Sequence, residues 1–216
     1  DVNDVPTLTS IGVVDTTDED SQAELTFNEI LTASDAADVD GTVDAFVVTS
    51  VNSGTLLIGT SAGTATAWAA GTNDTINSTL NAYWTPDLNA NGTENAFTVV
   101  AQDDDGDVST TANVIAQVTV NDVNDVPTLT SIGVVDTTDE DTQAELTFDE
   151  ILTASDAADV DGTVDAFVVT SVNSGTLLIG TSPGTATPWA AGTNDTINST
   201  LNAYWTPDLN EIGRAS

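Results

Sequence analysis

Oxygen ligands suited to a hard cation are concentrated in a few short loops of this chain. Thr17-Asp18-Glu19-Asp20, Ser34-Asp35-Ala36-Ala37-Asp38-Val39-Asp40-Gly41, Asp103-Asp104-Asp105-Gly106-Asp107 and Asp122-Val123-Asn124-Asp125 each place carboxylates or amides at alternating or adjacent positions. Calcium takes roughly six to eight oxygens from carboxylates, Asn side chains and backbone carbonyls, and closely spaced Asp and Asn with a turn-permitting Gly can supply them. A fifth loop, Asp87-Leu88-Asn89-Ala90-Asn91-Gly92, matches the first half of an EF-hand-type loop, but its twelfth position is Thr98 rather than an acid. Turns favour Asp and Asn for their own sake, so a single such loop carries little weight. Several of them without compensating bases point to bound cations.

The chain has 35 acidic residues and one basic residue, a formal net charge of −34. The lone base, Arg214, stands in the last residues of the sequence. Nucleic acids and anionic membranes are bound mainly through Lys and Arg, so neither is an expected partner. Self-repulsion at this charge opposes compaction unless salt or divalent cations offset it. Disorder is the usual outcome of high charge with low hydrophobicity. Here 39% of residues are apolar and fall in alternating runs between the acidic loops, which favours a folded chain. Cys is absent, which excludes disulfides and Cys-ligated zinc. No apolar run is long enough to span a bilayer as a helix.

The elements that must hold these loops are repeated. Residues 1–89 recur at 122–210 with four substitutions, Ser21/Thr142, Asn28/Asp149, Ala62/Pro183 and Ala67/Pro188. An offset of this size means that each copy is a unit folding largely by itself in a tandem array. Residues 1–121 are read as a complete repeat and 122–210 as a second, C-terminally incomplete copy. The tail 211–216 departs from the repeat and reads as a cloning scar or reading-frame artefact. The sequence begins with Asp and contains no Met, so an internal piece of a longer protein is expected.

Period-2 alternation and β-branched residues predict strands at 7–14, 23–27, 43–51, 55–58, 79–84, 96–101 and 112–120. Seven strands suit an immunoglobulin-like, all-β Greek-key sandwich. Residues 28–35 are expected to hold a helical turn with Ile30 and Leu31 as core plugs. Phe27, Phe46, Trp68, Tyr83, Trp84 and Phe97 are the expected core anchors. The second copy has no counterpart of residues 90–121, so it should lack two strands and expose an apolar face and a strand edge.

Val99-Val100-Ala101-Gln102-Asp103-Asp104-Asp105-Gly106, then Ser109 to Ala112, then Val118-Thr119-Val120-Asn121-Asp122-Val123-Asn124-Asp125-Val126-Pro127 resemble the end of a cadherin repeat. That family reads A-x-D-x-G, S-x-T-A and V-x-V-x-D-x-N-D-N-x-P. Glu19-Asp20 is similar to its E-N, and Ala33 to Gly41 to its A-x-D-x-D-x-G. Val126 replaces the linker's final Asn, one extra residue sits within 103–106, and no Leu-Asp-Arg-Glu motif is present. Near-identical acidic repeats without Cys or Lys resemble the cadherin-like, immunoglobulin-like repeats of giant bacterial surface adhesins of the RTX type.

The resemblance implies Ca2+ between successive repeats. Its ligands would be Glu19, Asp87 or Glu94, Asp122, Asn124 and Asp125, with Asp159 and Asp161 from the next copy. The corresponding positions one repeat earlier are Asp1, Asn3, Asp4, Asp38 and Asp40, together with Asp103. It further implies an extracellular rod on a bacterial cell surface, serving adhesion or biofilm formation. Its partners would be neighbouring repeats of the same chain, with a glycan or surface ligand bound elsewhere in the parent protein. A different reading makes the unit a carbohydrate- or surface-binding module using Trp68 and Trp189. An enzyme is disfavoured, because without His, Cys or Lys only carboxylate pairs remain for acid-base work, and such pairs arise by chance in so acidic a chain.

Overall fold

A computed structural model describes residues 3–110 and 114–209, with the backbone of Arg214–Ala215. The chain divides into two compact units, Asp1–Val123 and Asn124–Ser216. Among the described residues no helix is long and apolar enough to cross a membrane.

The first unit contains β1 (Val13–Asp18), β2 (Ala23–Leu25), α1 (Phe27–Ala33), β3 (Val43–Val51), β4 (Thr55–Gly59), β5 (Thr66–Ala67), β6 (Thr75–Asn77), β7 (Asn81–Thr85), β8 (Gly92–Asp103) and β9 (Val114–Asn121). It is a β-sandwich. One sheet runs β1-β9-β8-β3-β6 and the other β2-β7-β4-β5. The first strand lies parallel to the last, whereas β8 is antiparallel to both β3 and β9. Between the sheets lie Leu8, Phe46, Ile76, Trp84, Phe97 and Val99, all fully buried.

Local chemistry accounts for α1. Thr26 and Glu29 form a reciprocal capping box: the Glu29 amide donates to Thr26 Oγ1 at 3.3 Å, and the Thr26 amide donates to Glu29 Oε2 at 2.8 Å. One turn later Ile30 enters the core, and Phe27 packs against Phe46 with ring centroids 5.6 Å apart. In β8 the alternation breaks, because Ala96, Phe97, Thr98 and Val99 are all buried in succession. The register against β9 shifts between Asn95 and Phe97, a bulge whose extra residue bends the strand over the core.

The predicted strand 23–27 ends at Leu25, because the Thr26 cap turns Phe27 into the first residue of α1, and two further details differ from the sequence reading. The predicted strand at 7–14 is present only as isolated bridges at Thr7 and Ile11, and regular pairing begins at Val13. The backbone there is held by Asp35 and by the chain after α1 instead of by a sheet. The connection 59–78 carries two additional short strands, β5 and β6, so the described residues of the unit form nine strands rather than seven.

The second unit contains β10 (Asp136–Thr137), β11 (Ala144–Leu146), α2 (Phe148–Ala154), β12 (Ala166–Val168), β13 (Thr176–Gly180), β14 (Thr187–Pro188), β15 (Thr196–Asn198), β16 (Asn202–Thr206) and β17 (Arg214–Ala215). The β11-β16-β13-β14 sheet reproduces β2-β7-β4-β5. The other sheet is reduced to the pair β12-β15, as the missing counterpart of 90–121 requires. β12 has three residues where the identical sequence in β3 has nine.

Candidate functional site

The acidic loops of the first unit gather near opposite ends of the β8–β9 hairpin. At one end β8 finishes at Asp103, and the chain start lies alongside. Asn3 Nδ2 donates to Asp103 Oδ2 and to Asp107 Oδ2, both at 3.0 Å. The Asp4 amide donates to Asp40 Oδ1 at 3.2 Å, and Asp104 Oδ1 accepts from the Thr42 amide at 2.9 Å. Asn3, Asp4, Asp40, Asp103, Asp104 and Asp107 are thus tied into one cluster of loops, with Asp38 turning the chain beside Asp40.

Within this cluster two carboxylates stand apart. Asp103 is 4% exposed, and its Oδ1 accepts from the amides of Asp105 at 3.1 Å and Asp107 at 2.8 Å. Burial pushes its carboxyl upward, but the donations from Asn3, Asp107, Asp105 and Gly106 outweigh that and hold it below the usual aspartate range. Asp38 Oδ1 caps the turn by accepting from the amides of Asp40 at 3.0 Å and Gly41 at 2.7 Å. Asp38 Oδ2 is buried and has no hydrogen-bond partner among the described residues.

At the other end β1 and β9 finish side by side. Glu19 is 6% exposed, and its Oε1 accepts from the Val123 amide at 2.7 Å. Carboxylate oxygens of Glu19 and Asp122 lie within 4.8 Å of one another. Asn91 Nδ2 donates to Asp122 Oδ1 at 3.0 Å, and the Asn89 amide donates to Asp20 Oδ1 at 3.3 Å. Asp20 and Asn89 both adopt positive φ, near 57°. The loop 87–92 therefore leans on the Glu19 loop. Asp87 itself turns elsewhere, accepting from the Gly54 amide at 3.2 Å to close the β3–β4 turn. Glu94 is half-buried on β8.

The second unit repeats the start of this arrangement without the hairpin. Asp161 accepts from the Asp125 amide at 3.2 and 3.1 Å, and Asp159 Oδ1 accepts from the Gly162 amide at 2.7 Å. Asn124 has no counterpart of Asp103 to reach, and its Nδ2 donates to the Asp125 carbonyl at 2.7 Å. Of the sequence-derived ligands, Asp1 lies outside the described residues.

One acid grouped with these loops serves a structural purpose. Asp35 accepts from the Thr9 hydroxyl and from the Thr9 and Ser10 amides, the latter two at 2.8 and 2.9 Å, and these bonds hold it well below the usual carboxylate range. Asp156 does the same with Thr130 and Ser131. Its sequence signal, Asp directly after the Ser that ends α1, is indistinguishable from a ligand loop until the partner segment is placed.

The aromatic alternative has a definite geometry. Trp68 is half-buried against the core, and its indole N–H donates to the Val48 carbonyl at 3.2 Å. Trp189 repeats this with Val169 at 3.0 Å. Both indoles are thus half-buried with their N–H groups engaged.

Comparison with protein-family models and with curated proteins returns no match. Among solved structures, the chain is similar to the fibronectin(III)-like modules of Clostridium thermocellum CbhA, at 13% identity and a TM-score of 0.27, covering 94% of this chain and 78% of that one. It is also similar to SGBP-B of the Bacteroides ovatus mixed-linkage glucan utilization locus, solved with a mixed-linkage heptasaccharide, at 10% identity and a TM-score of 0.19. That match covers 92% of this chain and half of the other.

Proposed function

We propose that this repeat is a calcium-binding extender of a large bacterial surface adhesin, its end loops holding Ca2+ that stiffens the array outside the cell. The observation that carries this reading is Asp38 Oδ2, a buried carboxylate oxygen without a partner among the described residues, in a loop cluster holding Asp4, Asp40, Asp103, Asp104 and Asp107. Residues 1–213 contain no Lys, Arg or His that could neutralise it. A buried charge left unpaired is costly, and such groups are paired or coordinate metals.

The donor set fits a hard cation, since it consists of carboxylate, amide and backbone oxygens. Asp38, Asp40 and Asp103 would hold an ion at one end of the repeat, and Glu19 and Asp122 at the other. Bound calcium would supply positive charge that neutralises mutual repulsion of these carboxylates. The repeat's own contribution is to hold the loops in place through the Asn3, Asn91 and backbone donations described above. At extracellular affinities of roughly 10⁻⁴ to 10⁻³ M, such loops would be filled outside the cell.

Calcium titration of a protein with two complete repeats tests this, read by melting temperature and by maximum dimension from small-angle scattering. Both should rise with calcium and return on chelation, and magnesium should act poorly because it dehydrates reluctantly and demands a tight octahedron. Indifference of both quantities to chelation rejects the proposal.

A further inference from the structure

The first unit contains three Asn-x-Thr triplets, Asn73-Asp74-Thr75, Asn77-Ser78-Thr79 and Asn91-Gly92-Thr93. This is the pattern at which sugars are attached to asparagine, and the acceptor has to be a side-chain amide nitrogen that a transferase can reach. The structure separates the three. Asn73 Nδ2 donates to the Thr66 carbonyl at 3.0 Å, the Thr66 hydroxyl at 3.1 Å and the Ala67 carbonyl at 3.0 Å, tying β5 to the turn before β6. Asn91 Nδ2 donates to Asp122 Oδ1 at 3.0 Å. Both nitrogens are engaged.

Asn77 is turned the other way. Its Oδ1 accepts from the Thr79 amide and the Thr79 hydroxyl, both at 2.9 Å, and from the Leu80 amide at 3.0 Å. Backbone N–H groups can only donate, so they fix which end of the Asn77 amide is oxygen and leave Nδ2 outside these bonds. Among the described residues, Asp38 Oδ2 is the one buried side-chain nitrogen or oxygen without a partner, so solvent reaches Asn77 Nδ2. Ser78 and Thr79 are exposed beside it. The second unit repeats the contrast: Asn194 Nδ2 is held by the Thr187 and Pro188 carbonyls, whereas Asn198 Oδ1 takes the Thr200 and Leu201 amides.

We infer that Asn77, and Asn198 with it, is a site of N-linked glycosylation whose donor is a sugar carried on a diphosphate. In the transfer Nδ2 bonds to the anomeric carbon of the sugar as the bond from that carbon to the diphosphate oxygen breaks. The diphosphate leaves with the bonding pair, and Nδ2 gives one of its two protons to a base of the transferase. Three donors on Oδ1 draw electron density from the amide and so ease the loss of that proton. The placement also gives the sugar a use. Asn77 ends β6, the edge strand of the five-stranded sheet. An open edge is a template for pairing with another chain, and a tandem array of near-identical repeats presents the same edge many times. A bulky, solvated sugar on Asn77 guards it. Neither Asn77 nor its turn belongs to the acidic loops, so this inference and the calcium reading stand or fall separately.

The test is transfer to the purified 216-residue chain, with each triplet read by mass spectrometry of its peptide. One arm uses a soluble asparagine glucosyltransferase with UDP-glucose, and the other an oligosaccharyltransferase with an oligosaccharide on polyprenyl diphosphate. Transfer to Asn77 in either arm supports the inference, and the arm that works assigns the carrier. An unfolded peptide of residues 70–96 carries the same three triplets and gives their intrinsic preference. Asn77 in the folded chain should match its rate in the peptide. Asn91 should fall about tenfold below its peptide rate and Asn73 about a hundredfold, because one and three hydrogen bonds have to open first. Thr79→Ala should abolish transfer at Asn77 while Asn198 of the same molecule is still modified, and Thr79→Ser should retain it. The inference is overturned if neither enzyme modifies Asn77 in the folded chain, if Asn73 or Asn91 is modified there as readily, or if Thr79→Ala leaves Asn77 a substrate.

Discussion

Replacing Asp38 with asparagine should raise stability without calcium and leave it about unchanged with calcium. The amide carbonyl oxygen of the Asp38→Asn side chain can still accept from the Asp40 and Gly41 amides, so the turn survives, while the charge on the unpartnered oxygen is lost. Without calcium that loss relieves repulsion from Asp4, Asp40, Asp103, Asp104 and Asp107. Taking ~7 Å as a representative separation and an effective dielectric near 60, one such pair is worth roughly 0.8 kcal/mol before screening. Salt and the cost of a newly buried amide reduce the sum, leaving a net gain of about 1 kcal/mol. With calcium this gain is cancelled. If the site binds calcium with a Kd near 10⁻⁴ M, the native repeat would gain about 1.4 kcal/mol at ~1 mM calcium, and a tenfold weaker site only about 0.4. The calcium increment should therefore shrink by about 1 kcal/mol, or roughly 3–6 °C in melting temperature for a unit of this size. Calorimetry of the full chain in chelator and in calcium, following the higher-melting transition of the closed sandwich, reads both numbers. An Asp38→Asn protein that is less stable in chelator, or that keeps the full calcium increment, refutes the reasoning.

Three further substitutions separate structural acids and glycines from the metal question. Asp35 is bonded in the folded state below its ordinary value of 3.8. The unfolded chain therefore takes up the proton first as pH falls, so the stabilisation is fully present above about pH 4 and is lost progressively below it. Asp35→Asn should flatten the acid limb of the stability profile between about pH 4 and pH 2, and an unchanged limb in chemical denaturation would remove Asp35 from that role. Gly54→Ala forces a side chain into φ +65° with its Cβ driven against the Thr85 carbonyl oxygen, and should cost at least about 2 kcal/mol. Gly63→Ala, with nothing within 4 Å, should stay within about 0.5 kcal/mol in the same urea melts.

What could be read from the sequence divides along the range of the forces involved. The helical turn of α1 was legible from Ile30 and Leu31, but its start was not, because Thr26 and Phe27 read as the end of a strand until the Thr26–Glu29 capping box is placed. β3 was legible to the residue, since its alternation and β-branched content are strong. Yet the same nine residues in the second copy keep only three in a ladder, which shows that propensity needs β8 to be realised. β5 and β6 were missed because two- and three-residue strands carry no period, and the bulge in β8 because it breaks the alternation that reveals strands. The acidic loops were visible as composition. Their internal division was not: Asp35 and Asp87 close backbone turns while Asp38 retains an unpartnered oxygen, and only the placement of distant amides distinguishes them.

The parallel pairing of β1 with β9 has a mechanical consequence. Val13–Asp18 and Val114–Asn121 run the same way, with their partners joined from Val13↔Gln117 to Asp18↔Asn121. Tension entering before β1 and leaving after β9 pulls these neighbours in opposite directions along their common axis. Load then falls on all the cross-strand bonds at once, in shear, instead of on one bond at a time as in the peeling of a hairpin. A repeat tied in this way would yield abruptly at a high force rather than stretch gradually. The Glu19 and Asp122 loops sit directly at the exit of that clamp, where the Val123 amide is tied back to Glu19, so a change in these loops would be felt first where the clamp begins to slip.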